Sequence, residues 1–257
     1  MDTTTPERTI RFNPFLPYWA VLQTDLRQTL QSWVYRLWVL MSVLAAGGYV
    51  LYKVGIQREA GIVQAASVQT ENLLRGLVVG GLGLVALLAV SSISSERSSV
   101  ADAILSRGIS RHQYFLAKWH ARLVVVLCTF TLLATGILAV HHFMFDPDLT
   151  VLGGLVAIGL VVAVLTVVIS WGVTIGSLSS GTVIGITLFW LLLYGGIVLL
   201  SLLPEPYPTP DRMLSRLHYV LRGQYDPAIV TQIALLALGL STVAVVIGMI
   251  GFSRKDV

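Results

Sequence analysis

An all-α, polytopic membrane protein with six transmembrane helices is the fold class this sequence predicts, and three observations predict it. Apolar residues make up 55 % of the chain and charged residues only 12 %, against roughly 25 % charged in a soluble domain. The apolar residues gather in runs of about 20, the length that crosses a hydrocarbon core about 30 Å thick. The mean hydropathy of +0.80 is high for a protein facing water on all sides. A chain with so little polar surface cannot coat a monomeric globule, whereas a bilayer solvates it.

Residues 1–15 are polar and hold Pro6 and Pro14, which predicts a flexible tail. No cleavable signal peptide is visible in the first 30 residues, so the N-terminus is expected to stay cytoplasmic. From 17 to 32, Trp19, Leu22, Leu26, Leu30 and Trp33 recur at spacings of three and four. Gln23, Asp25, Arg27, Gln28 and Gln31 fill the other face, and Pro17 suits a first helical turn. The expectation is an amphipathic helix in the cytoplasmic interface with tryptophans at headgroup level.

Six spans follow, placed at 33–52, 73–93, 119–140, 149–178, 183–203 and 229–252. Arg36, near the start of the first, can snorkel along its aliphatic stem. Between Leu149 and Leu203 no Asp, Glu, Lys, Arg or His occurs, and 176–181 marks the turn. Segments assigned inside carry 11 of the 17 lysines and arginines and those outside carry 6, which favours both termini and the loop 94–118 being cytoplasmic. One membrane domain fills residues 1–257: tail and interfacial helix at 1–32, six helices over 33–252, the outer loop at 204–228 and a cytoplasmic tail at 253–257. The net charge of +4 is modest, nothing points to nucleic acid, and the one cysteine, Cys128, lies in an apolar run.

In the outer loop, Pro204, Pro206, Pro208 and Pro210 predict a stiff lead-in. Thr209 can then cap a helix that stops at Gly223, with Met213, Leu214, Leu217, Val220 and Leu221 on one face. This reads as an extracytoplasmic amphipathic helix. Gly76 with Gly80, Gly172 with Gly176 and Gly181 with Gly185 have the spacing that lets helices approach closely.

The absent chemistry is informative. The centres of all six spans lack Asp, Glu, Lys, Arg and His, whereas ion-coupled carriers keep such groups or broken helices at mid-membrane. Only the pairs Gly47-Gly48 and Gly195-Gly196 offer places for a break. The stretch 176–182 has the glycine spacing of a phosphate loop without its lysine, so no nucleotide is expected on this chain. His141 and His142 stand near Met144, Asp146 and Asp148, an irregular spacing for a metal site that reads first as a polar interfacial loop.

The longest charged interruption is 94–118. Ser95 can cap a helix with Glu96 in its first turn; Val100, Ala103, Ile104 and Leu105 give an apolar patch, Arg97, Asp102 and Arg107 its charge, and Gly108 a stop. Ser110 and Gln113 fit a capping box that starts a second helix, through Tyr114 and Phe115, into the third span. Such a short helix can dock in a partner's groove and pass on its motion.

This segment resembles the first cytoplasmic loop of type-2 ABC exporter permeases, the transmembrane subunits of ATP-binding-cassette transporters. Members of that family show Glu-Arg-Glu-x-Gly-Thr, an apolar run, then Pro-Val/Ile-Ser-Arg, an aromatic or aliphatic pair and a lysine. Here stand Glu96-Arg97, Ile104-Leu105, Ile109-Ser110-Arg111, Tyr114-Phe115-Leu116 and Lys118. The departures are Ser98 for the second acid, Ser99 and Val100 for Gly-Thr, and Gly108 for proline. The layout and the ending Phe252-Ser-Arg-Lys-Asp-Val257 also suit the family.

The resemblance implies a coupling helix at 95–107, with Glu96, Arg97, Val100, Asp102, Ile104 and Arg107 towards a separate ABC ATPase, and Ser110, Arg111, Gln113 and Lys118 leading into the third span. It implies two ATPase subunits that hold ATP and magnesium, none on this chain, and a second permease subunit, identical or not. The expected place is a cell membrane, by implication a prokaryotic cytoplasmic one, and the expected role is export without enzyme activity of its own. Two readings stand beside it: a mechanotransmitting permease acting on an extracytoplasmic protein, of the metalloenzyme-maturation type, and an ATPase-independent channel, secondary carrier or membrane scaffold.

Overall fold

The computed structural model describes residues 15–61, 65–94, 109–145, 148–202 and 213–254. Among them the elements are α1 (Leu16–Gln31), α2 (Trp33–Ala60), α3 (Ala66–Ser94), α4 (Arg111–Met144), α5 (Val151–Leu178), α6 (Thr182–Ser201), α7 (Leu217–Leu221) and α8 (Pro227–Arg254). The fold is all-α, and six of these helices, α2 to α6 and α8, are long and apolar enough to cross a membrane. The end where α3 stops and α4 starts is called here the loop end, and the opposite one the far end.

Helix α1 has Pro17 in its first turn, and its residues fall into three sectors at 100° per residue. Tyr18, Val21, Leu22, Asp25 and Thr29 lie against α4, most of them buried. Leu16, Trp19 and Leu30 form an exposed apolar sector, while Thr24, Arg27, Gln28 and Gln31 form an exposed polar one. Of the predicted apolar stripe, Leu22 is buried while Trp19 and Leu30 stay exposed. The packed face centres on a carboxylate that the sequence pattern had placed with the polar residues. Ser32 adopts extended backbone, breaks the chain from α1 and caps α2, its hydroxyl accepting from the Tyr35 N–H.

Helix α2 runs past the predicted end at 52 to Gly61, whose φ of +66° supplies the left-handed stop. It runs through Gly47 and Gly48, and α6 runs through Gly195 and Gly196. Neither candidate place for a break is used: both helices continue through their glycine pair, and one glycine costs a helix only about 1 kcal/mol. The lead-in 110–118 and the third span form the single helix α4.

Helix α5 is the hub, touching α3, α4, α6, α7 and α8. Small residues allow this. A Cβ on Gly172 would lie 2.6 Å from the Ala89 Cβ, and one on Gly176 would run into the Val90 carbonyl. Thr174 donates to the Ala244 carbonyl of α8 at 2.7 Å. Gly185 likewise packs on Val90, but Gly76, Gly80 and Gly181 face open space, so only part of the small-residue spacing is used for close approach. Helices α2 and α6 sit at the periphery with most of their surface exposed.

In α4, no Asp, Glu, Lys, Arg or His occurs between Arg122 and His141. The rise between them, at about 1.5 Å per residue, is about 28 Å, close to the ~30 Å hydrocarbon thickness. Polar clusters lie at both ends of that interval.

Candidate functional site

The expected coupling helix 95–107, with Glu96, Arg97, Val100, Asp102, Ile104 and Arg107, lies outside the described residues. So do Gly108, the proline lead-in and Thr209 of the outer loop, the tail 1–14 and Asp146. What is described are the two points from which the loop 94–118 is suspended.

At the entry, Ser94 ends α3 buried. Its hydroxyl shares a 2.9 Å hydrogen bond with Thr182 Oγ1, the first residue of α6. At the exit, the predicted capping box is formed. Ser110 Oγ accepts from the Gln113 N–H at 3.2 Å, and Gln113 Oε1 accepts from the Ser110 N–H at 3.4 Å. Two orphan donors of the first turn are thereby satisfied, which holds the start of α4 at a fixed residue. Arg111 Nη1 donates to the Ser253 carbonyl at the end of α8 over 3.2 Å. Tyr114 and Phe115 are fully buried against Phe252, the first ring stacked at 6.0 Å between centroids.

Lys118, one further turn along, does more than lead into the span. Its Nζ donates to Asp25 Oδ1 of α1 at 2.8 Å, and Arg122, four residues on, approaches the same oxygen at 3.5 Å. Arg122 also donates to Thr29 Oγ1, whose hydroxyl in turn donates to the Asp25 carbonyl at 2.6 Å. Asp25 is 1 % exposed, and its Oδ2 has no hydrogen-bond partner among the described residues. Two buried cations therefore share one buried carboxylate, an arrangement tolerated only with close pairing. The Lys118 ammonium also stands 5.5 Å from the Tyr114 ring centre.

Asp25, Thr29, Arg122, Thr182 and Ser253 were not singled out from sequence. Lys118 and Arg122 at i and i+4 do share a helix face, and Asp25 sits between Leu22 and Leu26 on the rim of an apolar stripe. Those two patterns were the available signal.

The far end carries a second cluster. Asp148 accepts the Ser67 N–H and hydroxyl at 2.8 and 2.5 Å, capping the start of α3 from another segment, and accepts Arg222 Nε at 2.8 Å. Burial pushes the Asp148 carboxyl up, but the two Ser67 bonds and the Arg222 guanidinium outweigh it and hold the group below its ordinary range. His218 pairs with Glu71 of α3, and the Thr150 hydroxyl donates to the Leu221 carbonyl at 3.2 Å. Leu214, Leu217 and Leu221 are buried.

Among the described residues the outer segment turns at Ser215 and Arg216 before α7, so the predicted helix is interrupted there. The apolar face of α7 packs on α3 and α5, and Arg222 binds Asp148. Gly223, at φ +81°, is the predicted stop. The predicted histidine pair is divided. His141 is buried and gives its Nδ1–H to Thr70 Oγ1 at 2.7 Å, since the threonine's own proton goes to the Ala66 carbonyl. His142 is exposed, and among the described residues no three metal-ligating side chains converge.

No protein-family model matches the chain, and no curated protein matches it either.

Proposed function

We propose that this chain is the transmembrane permease subunit of an ABC transporter, with 94–118 as the loop that receives the motion of a separate ATPase. The carrying observation is how that loop is hung. Its entry is tied to α6 through Ser94 and Thr182, and its exit to α8 through Arg111 and Ser253 and to α1 through Lys118 and Asp25. A push on such a loop reaches α1, α3, α4, α6 and α8 together. ATP and magnesium belong to the partner, and the loop end is the cytoplasmic one.

An ion-coupled carrier is less well supported. No described helix is broken between the two polar clusters, and no Asp, Glu, Lys, Arg or His occurs between Arg75 and Ser94 of α3 or between Arg122 and His141 of α4. Within the permease reading, the pinning of α7 to α3 and α5 favours mechanical work on an extracytoplasmic protein as well as export, because a segment fixed to the spans moves with them.

The test is to purify the tagged full chain in mild detergent and identify the ATPase that accompanies it. Glu96→Ala with Arg97→Ala should lower the ATPase recovered several-fold while the helical content of the chain stays unchanged. Recovery of no ATPase with the unaltered chain sinks the reading.

A further inference from the structure

The described charges are distributed unevenly between the two ends. At the far end, Glu59, Glu71, Asp148 and Asp226 stand against Lys53, Arg58, Arg75, Arg216 and Arg222, close to balance. At the loop end, Asp25 is the one carboxylate among the described residues, against Arg27, Arg36, Arg111, Lys118, Arg122 and Arg254. That carboxylate is buried and already held by Lys118 and Arg122. The exposed cations of this end therefore have no described carboxylate to pair with.

Two of them stand at the corner where α1 meets α2. Arg27 is exposed at the edge of the apolar sector of α1 that presents Leu16 and Trp19, the latter 61 % exposed. Arg36 lies one turn into α2 on the same helical face as Trp33, Leu40 and Leu44, all exposed; Trp33 is 70 % exposed. Neither arginine has an ion-pair partner among the described residues.

Arg36, on an apolar, outward-facing stripe, must send its guanidinium to the edge of the bilayer, and Arg27 borders such a stripe on α1. Indole rings settle at the same level, and the planar guanidinium fork matches phosphate oxygens. We infer that Arg27 and Arg36, framed by Trp19 and Trp33, form a binding surface for the headgroups of anionic phospholipids in the leaflet at the loop end. This goes beyond the permease reading and does not depend on it, since it needs only a membrane-spanning chain.

The full chain, delipidated in detergent, is offered phosphatidylglycerol or phosphatidylcholine, and bound lipid is counted by native mass spectrometry. The unaltered protein should retain phosphatidylglycerol in preference to phosphatidylcholine. Arg27→Gln with Arg36→Gln should weaken phosphatidylglycerol binding about fivefold for each arginine removed, the share of one basic residue at an anionic surface, and leave phosphatidylcholine unaffected. Arg58→Gln, which removes one charge from an exposed residue at the far end of α2, should have no effect. Circular dichroism of each variant confirms that the helices are intact. The inference is overturned if the unaltered protein shows no preference, if the double variant keeps it, or if Arg58→Gln lowers it as much. It is also overturned if excess inorganic phosphate displaces the lipid, which would make this a site for free anions.

Discussion

Lys118 of α4 and Asp25 of α1 meet at 2.8 Å with 3 % and 1 % of their side chains exposed, so the contact between these helices is made by ions withdrawn from water. Breaking such a pair from one side strands the other charge and costs about 3–5 kcal/mol, whereas apolar replacement of all partners is often neutral. Asp25→Ala should therefore lower the thermal unfolding temperature in detergent markedly. Asp25→Leu combined with Lys118→Met and Arg122→Met should restore most of the loss. An Asp25→Ala protein that unfolds with the unaltered one would show that the pair holds nothing in place.

The glycines of α5 and α3 give a paired prediction. A methyl on Gly176 would enter the Val90 carbonyl, while one on Gly80 meets nothing within 4 Å. Gly176→Ala should destabilise by about 1–3 kcal/mol, the usual cost of overpacking. Gly80→Ala should be neutral or stabilise by up to about 1 kcal/mol through helix propensity. Unfolding of both variants under the same conditions checks the sign as well as the size.

Much of the architecture was legible because the bilayer imposes it: runs of about 20 apolar residues have few alternatives to spanning helices. The capping box at Ser110 and Gln113 and the stop at Gly223 were equally legible, since local backbone chemistry decides them. Asp25 was not. Its spacing placed it on a polar face, and only the i, i+4 pair Lys118 and Arg122, 93 or more residues away, turns that face inward. Arg222 and Asp148 were missed for the same reason, as charges whose partners lie on segments remote in sequence. Glycine spacing over-predicted contact, because Gly76 and Gly172 look alike until a neighbouring helix is present. The coupling residues 96–107 remain as the sequence presents them.

Arg111 separates stability from transmission. Its bond to the Ser253 carbonyl is one hydrogen bond from a charged donor, and such bonds contribute about 1.5–3 kcal/mol at most. Arg111→Ala should therefore fold and assemble. If the exit of the loop drives α8 through this contact, ATPase activity of the purified complex should lose its response to substrate or partner while basal hydrolysis persists. An unchanged response would remove α8 from the route.

The far-end clamp should resist acid, and the direction follows from Asp148. Burial raises its pKa, but the Ser67 hydrogen bonds and the Arg222 guanidinium lower it further, so the folded value lies below the unfolded one. A depressed carboxylate stabilises fully above its unfolded pKa of about 3.9 and loses that contribution only as pH falls through the folded value. The Glu71 and His218 pair also holds α7 to α3, so the measurement belongs in a Glu71→Gln background, which leaves Asp148 and Arg222 as the ion pair on the segment. There, hydrogen exchange at 217–221 should be protected equally down to about pH 4, once intrinsic exchange rates are corrected for, and lose protection only below it. Asp148→Asn in that background should be unprotected at every pH. Loss of protection already at pH 5 to 6 with Asp148 intact would mean that the clamp is held by something other than this carboxylate.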